Sequence, residues 1–302
     1  MKKLKALIYA WISEKYMHGC SSYNSLDVRK SCRSKAQGRS VFAENDVPHA
    51  RGTVFTWPWV AHRFASQYGF PVVVKPNVSG YSRGSYFPIY SFGELWRAIF
   101  LAKIWWPTTI IEQYLDGANY RVLATDHHMI SVIRRYPPFV VGDGNSTIDQ
   151  LIDIENKVRQ EMNLHPVIFP IKKSDQVVRH LAKHKLKLDS VPEKGQNVEL
   201  FHRVALAPGG VVEIIDQAAI PDENRELFQR VVKMFDANVF GIDVIFEKGI
   251  ETSYRDQKSI FIEVNSRPYM EMHQYPRFGC KEDFSADLAE LDKIEIKDKD
   301  IF

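Results

Sequence analysis

Gly241-Ile242-Asp243-Val244-Ile245-Phe246 and Ile260-Phe261-Ile262-Glu263-Val264-Asn265-Ser266-Arg267-Pro268 are the two stretches that decide the fold. Each is a short apolar run rich in Ile, Val and Phe and interrupted by a carboxylate, which is the pattern of a β-strand. The polar residues 247–259 between them return the chain so that the second strand lies beside the first. Glu263 and Asn265 are two apart and so project from the same strand face. With Asp243 on the neighbouring strand, three oxygen donors can converge. Hard oxygen donors suit Mg²⁺, which takes one or two carboxylates and completes its shell with water and phosphate. A carboxylate inside an apolar run needs a metal or a cation beside it. The alternative is that these acids sit on the wet side of a one-sided sheet.

Upstream, Phe70-Pro71-Val72-Val73-Val74-Lys75-Pro76 reads as a fully buried strand closed by a proline that cannot continue the ladder. The loop Asn77-Val78-Ser79-Gly80-Tyr81-Ser82-Arg83-Gly84 follows it. Glycines let backbone N–H groups approach phosphate oxygens, and Lys75 offers a point charge. This is not a Walker A loop, because no GxxxxGK[ST] is present. An exposed lysine beside an ordinary turn is the plainer reading.

The spacing of Phe92, Leu95, Trp96, Ile99 and Phe100 predicts an amphipathic helix over 92–103. Leu227, Phe228, Val231, Val232 and Phe235 predict another, 34–44 a third, and Thr147 caps a fourth through Ile148, Leu151 and Ile152. Further strands are expected over 110–115, 120–124 and 129–135, with 126–128 turning between the last two. Residues 156–200 read as a long irregular excursion and 1–12 as an amphipathic helix. Strands and helices without strict alternation argue for an α+β fold with mainly antiparallel sheet.

Composition narrows the function classes. In 302 residues, 40 Lys and Arg stand against 37 Asp and Glu, a balance that argues against a nucleic-acid binder. No apolar run approaches the roughly 20 residues that span a bilayer. Three scattered cysteines make no paired framework and no zinc motif, so a reducing compartment, the cytoplasm, is expected.

Taken together, these segments resemble the ATP-grasp carboxylate–amine ligases, and in particular the ATP-grasp unit of cyanophycin synthetase and of bifunctional glutathione synthetase. The resemblance rests on Asp46-Val47-Pro48, the strand 70–76 with Gly80 through Gly84, and Ile111-Glu112-Gln113-Tyr114-Leu115-Asp116-Gly117 with Tyr120-Arg121. It continues through Arg135-Tyr136-Pro137-Pro138-Phe139-Val140-Val141-Gly142-Asp143-Gly144 with Ser146-Thr147-Ile148, then Asp189-Ser190-Val191-Pro192 and Gly209-Gly210. It closes on the two carboxylate strands with Met272-His273. Order and spacing hold over roughly residues 30 to 280.

The resemblance implies an ATP-grasp fold of two α/β lobes clasping the nucleotide, over 31–117 and 118–302, after an N-terminal helical segment 1–30. It implies ATP and Mg²⁺, two ions in the full set, with Mn²⁺ as a substitute. Lys75 and Lys35 would contact the phosphates, with Arg39 as the alternative to Lys35. Ser79, Gly80, Arg83 and Gly84 would belong to the loop over the triphosphate. Glu112 would accept from the adenine amino group, and Gln113, Tyr114 and Leu115 would line the rest of the purine edge. Asn119 stands where relatives often carry a ribose-binding Glu. Asp243, Glu263 and Asn265 would be the metal ligands. Arg121 and Arg135 would bind the transferred phosphate or a carboxylate, for which a planar guanidinium is suited. Arg267, Gly209, Gly210 and His273 would lie on the substrate side.

The chain also departs from that pattern. Ala205-Leu206-Ala207-Pro208 replaces the polar residues that relatives place before the diglycine, and Pro268-Tyr269 replaces Pro-Gly. The large N-terminal domain of those relatives is expected to be absent. The expected activity is amide-bond formation through an acylphosphate, from a small carboxylate and an amine such as an amino acid or short peptide. An idle nucleotide-binding scaffold and a phosphotransferase are the alternatives. Partners are these small molecules, with a second copy of the chain or a carrier protein as a further one, and neither nucleic acid nor membrane. Guanine carries an oxo group at the position where adenine offers its amine to Glu112. Titration calorimetry is therefore expected to show ATP binding at least about tenfold tighter than GTP, with binding lost in Glu112→Ala. Equal affinities would remove this strand from the base pocket.

Overall fold

The computed structural model describes residues 23–77 and 84–296. The expected N-terminal helix lies outside them. The first half of the described chain runs α1 (Leu26–Ser31), α2 (Lys35–Glu44), β1 (Gly52–Phe55), α3 (Pro58–Tyr68), β2 (Val72–Pro76), β3 (Tyr86–Ile89), α4 (Phe92–Trp105), β4 (Thr109–Gln113), β5 (Ala118–Ala124) and β6 (Met129–Tyr136). The second half runs β7 (Phe139–Val141), α5 (Ile148–Glu161), α6 (Asp175–Lys183), β8 (Asn197–Glu199), β9 (Val211–Ile214), α7 (Asp222–Met234), β10 (Phe240–Phe246), β11 (Ser259–Asn265) and α8 (Ser285–Leu291). Among the described residues no helix is long and apolar enough to cross a membrane.

The chain divides into two compact units. One holds the residues up to Ser131, Asp216–Met270 and those from Phe284 onward, and the other holds Val132–Ile215 and Glu271–Asp283. The boundary expected at 117/118 therefore falls inside the first unit.

The first unit contains a four-stranded antiparallel sheet in the order β1-β4-β2-β3. Helices α3 and α4 cover one face, where Phe64, Leu95 and Ile99 pack on Phe55, Val72, Val74 and Ile111. The expectation of a fully buried 72–74 strand is corrected here. Val72 and Val74 are buried but Val73 is only partly so, because alternate residues turn to the uncovered face. That alternation puts Lys75 and Glu112 on the face away from the helices.

In the same unit β10 pairs antiparallel with β5 on one side and β11 on the other. Tyr120, Val122, Ile242, Val244 and Val264 are buried. On α7, Phe228 packs against Phe246 and Phe261. Asn119, Arg121 and Asp243 consequently lie on the opposite face of β5 and β10, between the apolar Leu123 and Ile245.

In the second unit, Ile133–Tyr136 of β6 pairs with β9, and β7 pairs with β8. Thr147 makes a capping box with Gln150 and so starts α5 as expected. The expected irregular excursion over 156–200 is instead built: α5 continues to Glu161, and α6 and β8 follow. Helix α6 was hidden because only Val177, His180 and Leu181 of its charged sequence turn inward.

Asn24 is fully buried and ties the start of the first unit to the carboxylate strands. Its Nδ2 donates to Val239 O at 2.6 Å and Ser266 O at 2.8 Å, and its Oδ1 accepts from Asn238 N at 2.8 Å. Asn24→Ala leaves those backbone groups unpaired. It is expected to lower stability by about 2–4 kcal/mol in urea denaturation, and a change within experimental error would show that water replaces the amide.

Candidate active site

Helix α2 starts at Lys35 because Ser34 caps it and pairs reciprocally with Gln37. The start is also fixed from β2: Lys35 N donates to Asn77 O at 3.2 Å and Ala36 N to Asn77 Oδ1 at 3.1 Å. Lys35 and Arg39 are four apart and share a helix face. Lys35 Nζ lies 3.3 Å from Glu263 Oε2 on β11, and Arg39 Nη1 lies 3.4 Å from Glu112 Oε1 on β4. One helix thus places a cation on an acid of each sheet.

Glu112 is buried, and its other oxygen takes Lys75 Nζ at 2.6 Å. Register explains this contact, since Val73 stands opposite Glu112 and Lys75 is two residues further on the same face. On the other side Gly52 stands opposite Glu112. A Cβ on Gly52 would lie 2.5 Å from Glu112 Cγ and 2.7 Å from Arg39 Nη1, so only glycine leaves room for the Arg39–Glu112 pair. Gln113 N donates to Arg51 O and Tyr114 N to Pro71 O, which fixes the chain leading to Leu115. The Tyr114 ring stacks on Phe87.

On the second sheet, Arg121, Asp243 and Glu263 stand in register across β5, β10 and β11, with Asn119 and Asn265 on the same face. Arg121 grips Asp243 bidentately, through Nε to Oδ1 and through Nη2 to Oδ2 at 3.0 Å, and both side chains are over nine-tenths buried. Asn265 Nδ2 donates to Gly241 O at 3.2 Å. A bulge after Asp243 shifts the β10–β11 register beyond this point and leaves Glu263 and Asn265 aligned with it. Arg121, Asp243, Glu263 and Lys35 thus form a line in which two neighbouring carboxylates are flanked by a cation on each side.

Lys35, Lys75, Glu112, Gln113, Tyr114, Leu115, Asn119, Arg121, Asp243, Glu263, Asn265 and Arg267 all belong to the first unit. Gly84 also belongs to it, with φ +72°, whereas Ser79, Gly80 and Arg83 lie outside the described residues. Arg135, Gly209, Gly210 and His273 belong to the second unit. There Arg135 pairs in register with Val212, and His273 is buried.

The diglycine has its own support. Gly209 has φ +98° and its carbonyl accepts from the buried Arg159 at 2.8 Å. Arg159 and Arg277 both engage Glu155, at 2.9 and 3.0 Å. Burial pushes the Glu155 carboxyl up, but the two guanidinium groups together hold it below its usual range. Gly52, Asn77 and this Glu155–Arg159–Arg277 network were not foreseen, because each acts through a long-range contact with no local sequence signal.

No protein-family model matches the chain. Among solved structures, a bifunctional glutathione synthetase from Pasteurella multocida aligns with TM-score 0.63 over 89% of this chain and 37% of that one, at 21% identity. The ATP-grasp ligase PsnB, solved with a phosphomimetic variant of its minimal precursor, Mg and ADP, aligns with TM-score 0.51 over 89% of this chain and 60% of that one, at 15% identity. The chain has the ATP-grasp fold. Its sequence is 30% identical over 276 residues to cyanophycin synthetase of Crocosphaera subtropica, a match covering 90% of this chain and 31% of that protein. The chain spans about a third of the length of the curated relatives it matches.

Breaking a buried ion pair on one side strands the other charge, at a cost of about 3–5 kcal/mol. Arg121→Met alone is thus expected to destabilise more than Arg121→Met combined with Asp243→Asn, measured by urea denaturation as a double-mutant cycle. Additive losses would show that the two residues do not act as a pair.

Proposed function

We propose that this chain is an ATP-dependent carboxylate–amine ligase. The observation that carries the reading is the double tether of α2, which gathers Lys35, Arg39 and Lys75 with Glu112 and Glu263 beside the buried Arg121–Asp243 pair. A cluster of cations interleaved with carboxylates matches a polyphosphate that arrives with a divalent metal. In this reading Lys35 and Lys75 bind the phosphates. Glu112, the Gln113 carbonyl and the Leu115 N–H hold the adenine edge, and Asn119 meets the ribose.

Asp243, Glu263 and Asn265 would hold Mg²⁺. They fit it in kind, as two carboxylates and an amide carbonyl on one face. Each carboxylate oxygen keeps lone pairs beyond the one that its cation engages. Bound there, one or two Mg²⁺ ions would offset charge on the phosphoryl oxygens, and Mn²⁺ suits the same donors.

A substrate carboxylate attacks the γ-phosphorus and displaces ADP, giving an acylphosphate. An amine then attacks its carbonyl carbon, phosphate leaves, and the amide forms as the amine loses its proton. Arg121 and Arg135 would hold the transferred phosphate or the carboxylate, and Arg267, Gly209-Gly210 and His273 the acceptor side. The donor is a small carboxylate and the acceptor an amine such as that of an amino acid or short peptide. The cytoplasm is the proposed setting, where free thiols such as Cys32 and Cys280 persist. A second reading, nucleotide binding without turnover, is favoured by the apolar Ala205-Leu206-Ala207-Pro208 ahead of the diglycine.

The test is incubation with ATP, Mg²⁺ and a pool of amino acids and short peptides, followed by phosphate release and product mass. An amide product with ADP supports the ligase, and binding without release supports the second reading. Glu263→Gln is expected to abolish turnover in a folded chain and to weaken nucleotide binding more with Mg²⁺ than without it. Normal phosphate release by that variant would overturn the metal assignment.

A further inference from the structure

Helices α3 and α4 present an apolar surface on the side away from the core of the first unit. Trp57 is 75% exposed, Trp59 67%, Phe100 69% and Ile104 68%. On α4, Phe92, Trp96, Phe100 and Ile104 follow at four-residue spacing and so line one side, while Leu95, Ala98, Ile99 and Ala102 of the same helix fill the core. The Trp59 ring meets that of Trp96 at 5.1 Å, and His62 stacks on Phe92 at 4.5 Å. The two helices therefore share one aromatic surface. Monomeric soluble proteins rarely leave a contiguous patch of this kind to water. Side chains two-thirds or more exposed stand out from the surface and do not line a recess, so the patch is a ridge and not a peptide groove.

The charge on this face is mainly positive. Helices α3 and α4 carry Arg63, Arg97 and Lys103 against Glu94 alone, a charge of +2. Arg63 on α3 and Arg97 on α4 are exposed. A second copy of this chain would set like charges against each other across the contact, which is costly. An anionic bilayer suits both features. Trp rings sit at the headgroup level with their apolar bodies inward, and Lys and Arg are drawn to acidic headgroups.

We propose that the α3–α4 face is a peripheral docking surface for an anionic lipid bilayer, with its aromatic side chains at headgroup depth and Arg63 and Arg97 on the acidic headgroups. The sequence expectation of no membrane partner rests on the lack of a spanning run, which does not bear on peripheral contact.

The test is co-sedimentation of the full chain with vesicles of phosphatidylcholine alone and with about 30% phosphatidylserine. Binding to the anionic vesicles that weakens with salt is expected. Trp59→Ser with Phe100→Ser should lower partitioning at least about tenfold. Arg63→Glu with Arg97→Glu, which keeps the apolar surface intact, should lower it about fivefold or more per charge. Melting temperatures of both variants should stay at the parent value. Residues 1–12 also combine Lys2, Lys3 and Lys5 with Leu4, Leu7, Ile8 and Trp11, so binding that persists unchanged in both variants would overturn the proposal. Failure to bind anionic vesicles would also overturn it. A dimer in solution that the Trp59→Ser, Phe100→Ser chain loses would assign the face to a second copy instead.

Discussion

The acids of the two sheets in the first unit need cations, and α2 brings one to each. Glu112 and Glu263 stand on different sheets, and Arg39 and Lys35 reach them from successive turns of a single helix. Glu112 is buried, and a carboxylate withdrawn from water without cations is strongly disfavoured, so the place of α2 is constrained by electrostatics as well as by packing. Its apolar side meets the same constraint: Phe42 packs edge-on against Phe235 and Phe261. Asn77 then fixes its first turn to the end of β2. The helix therefore acts as a strut whose charges and rings cannot move independently.

This arrangement has a chemical consequence on the proposed reading. Lys35, Lys75 and Arg121 each already have a carboxylate beside them, so the cluster in the first unit is close to neutral. A nucleotide arriving alone would add negative charge next to Glu112, Asp243 and Glu263. A nucleotide arriving with a divalent cation leaves the local balance nearly unchanged, because carboxylate, metal and phosphate then share the cations in turn.

The period-two pattern of 241–246 and 260–265 made the second sheet and its acids legible, because alternation alone sorts Asp243, Glu263 and Asn265 onto one face. The same reading went too far at 72–74, where three valines in a row suggested burial on both sides and Val73 proved half-buried. Strands β1 and β3 were invisible as short segments whose pairing comes from β4 and β2. The partners of the acids were out of reach altogether. Nothing near Asp243 in sequence points to Arg121, and nothing near Glu112 points to Arg39 or Gly52. Such pairings are set by register between distant segments, which a one-dimensional pattern does not encode. The Glu155–Arg159–Arg277 support of Gly209 was missed for the same reason, inside a stretch whose charges masked its helices.

The chain passes between the two units four times, and the second unit is threaded into the first as an insertion. Arg121 and Asp243 are 122 positions apart. On a ribosome adding about 5–20 residues per second, β5 emerges roughly 6 to 24 seconds before the strand it must pair with. All of Val132–Ile215 is made in that interval. A guanidinium destined for burial thus spends its first seconds in water, and the first unit is the later of the two to have its whole chain available.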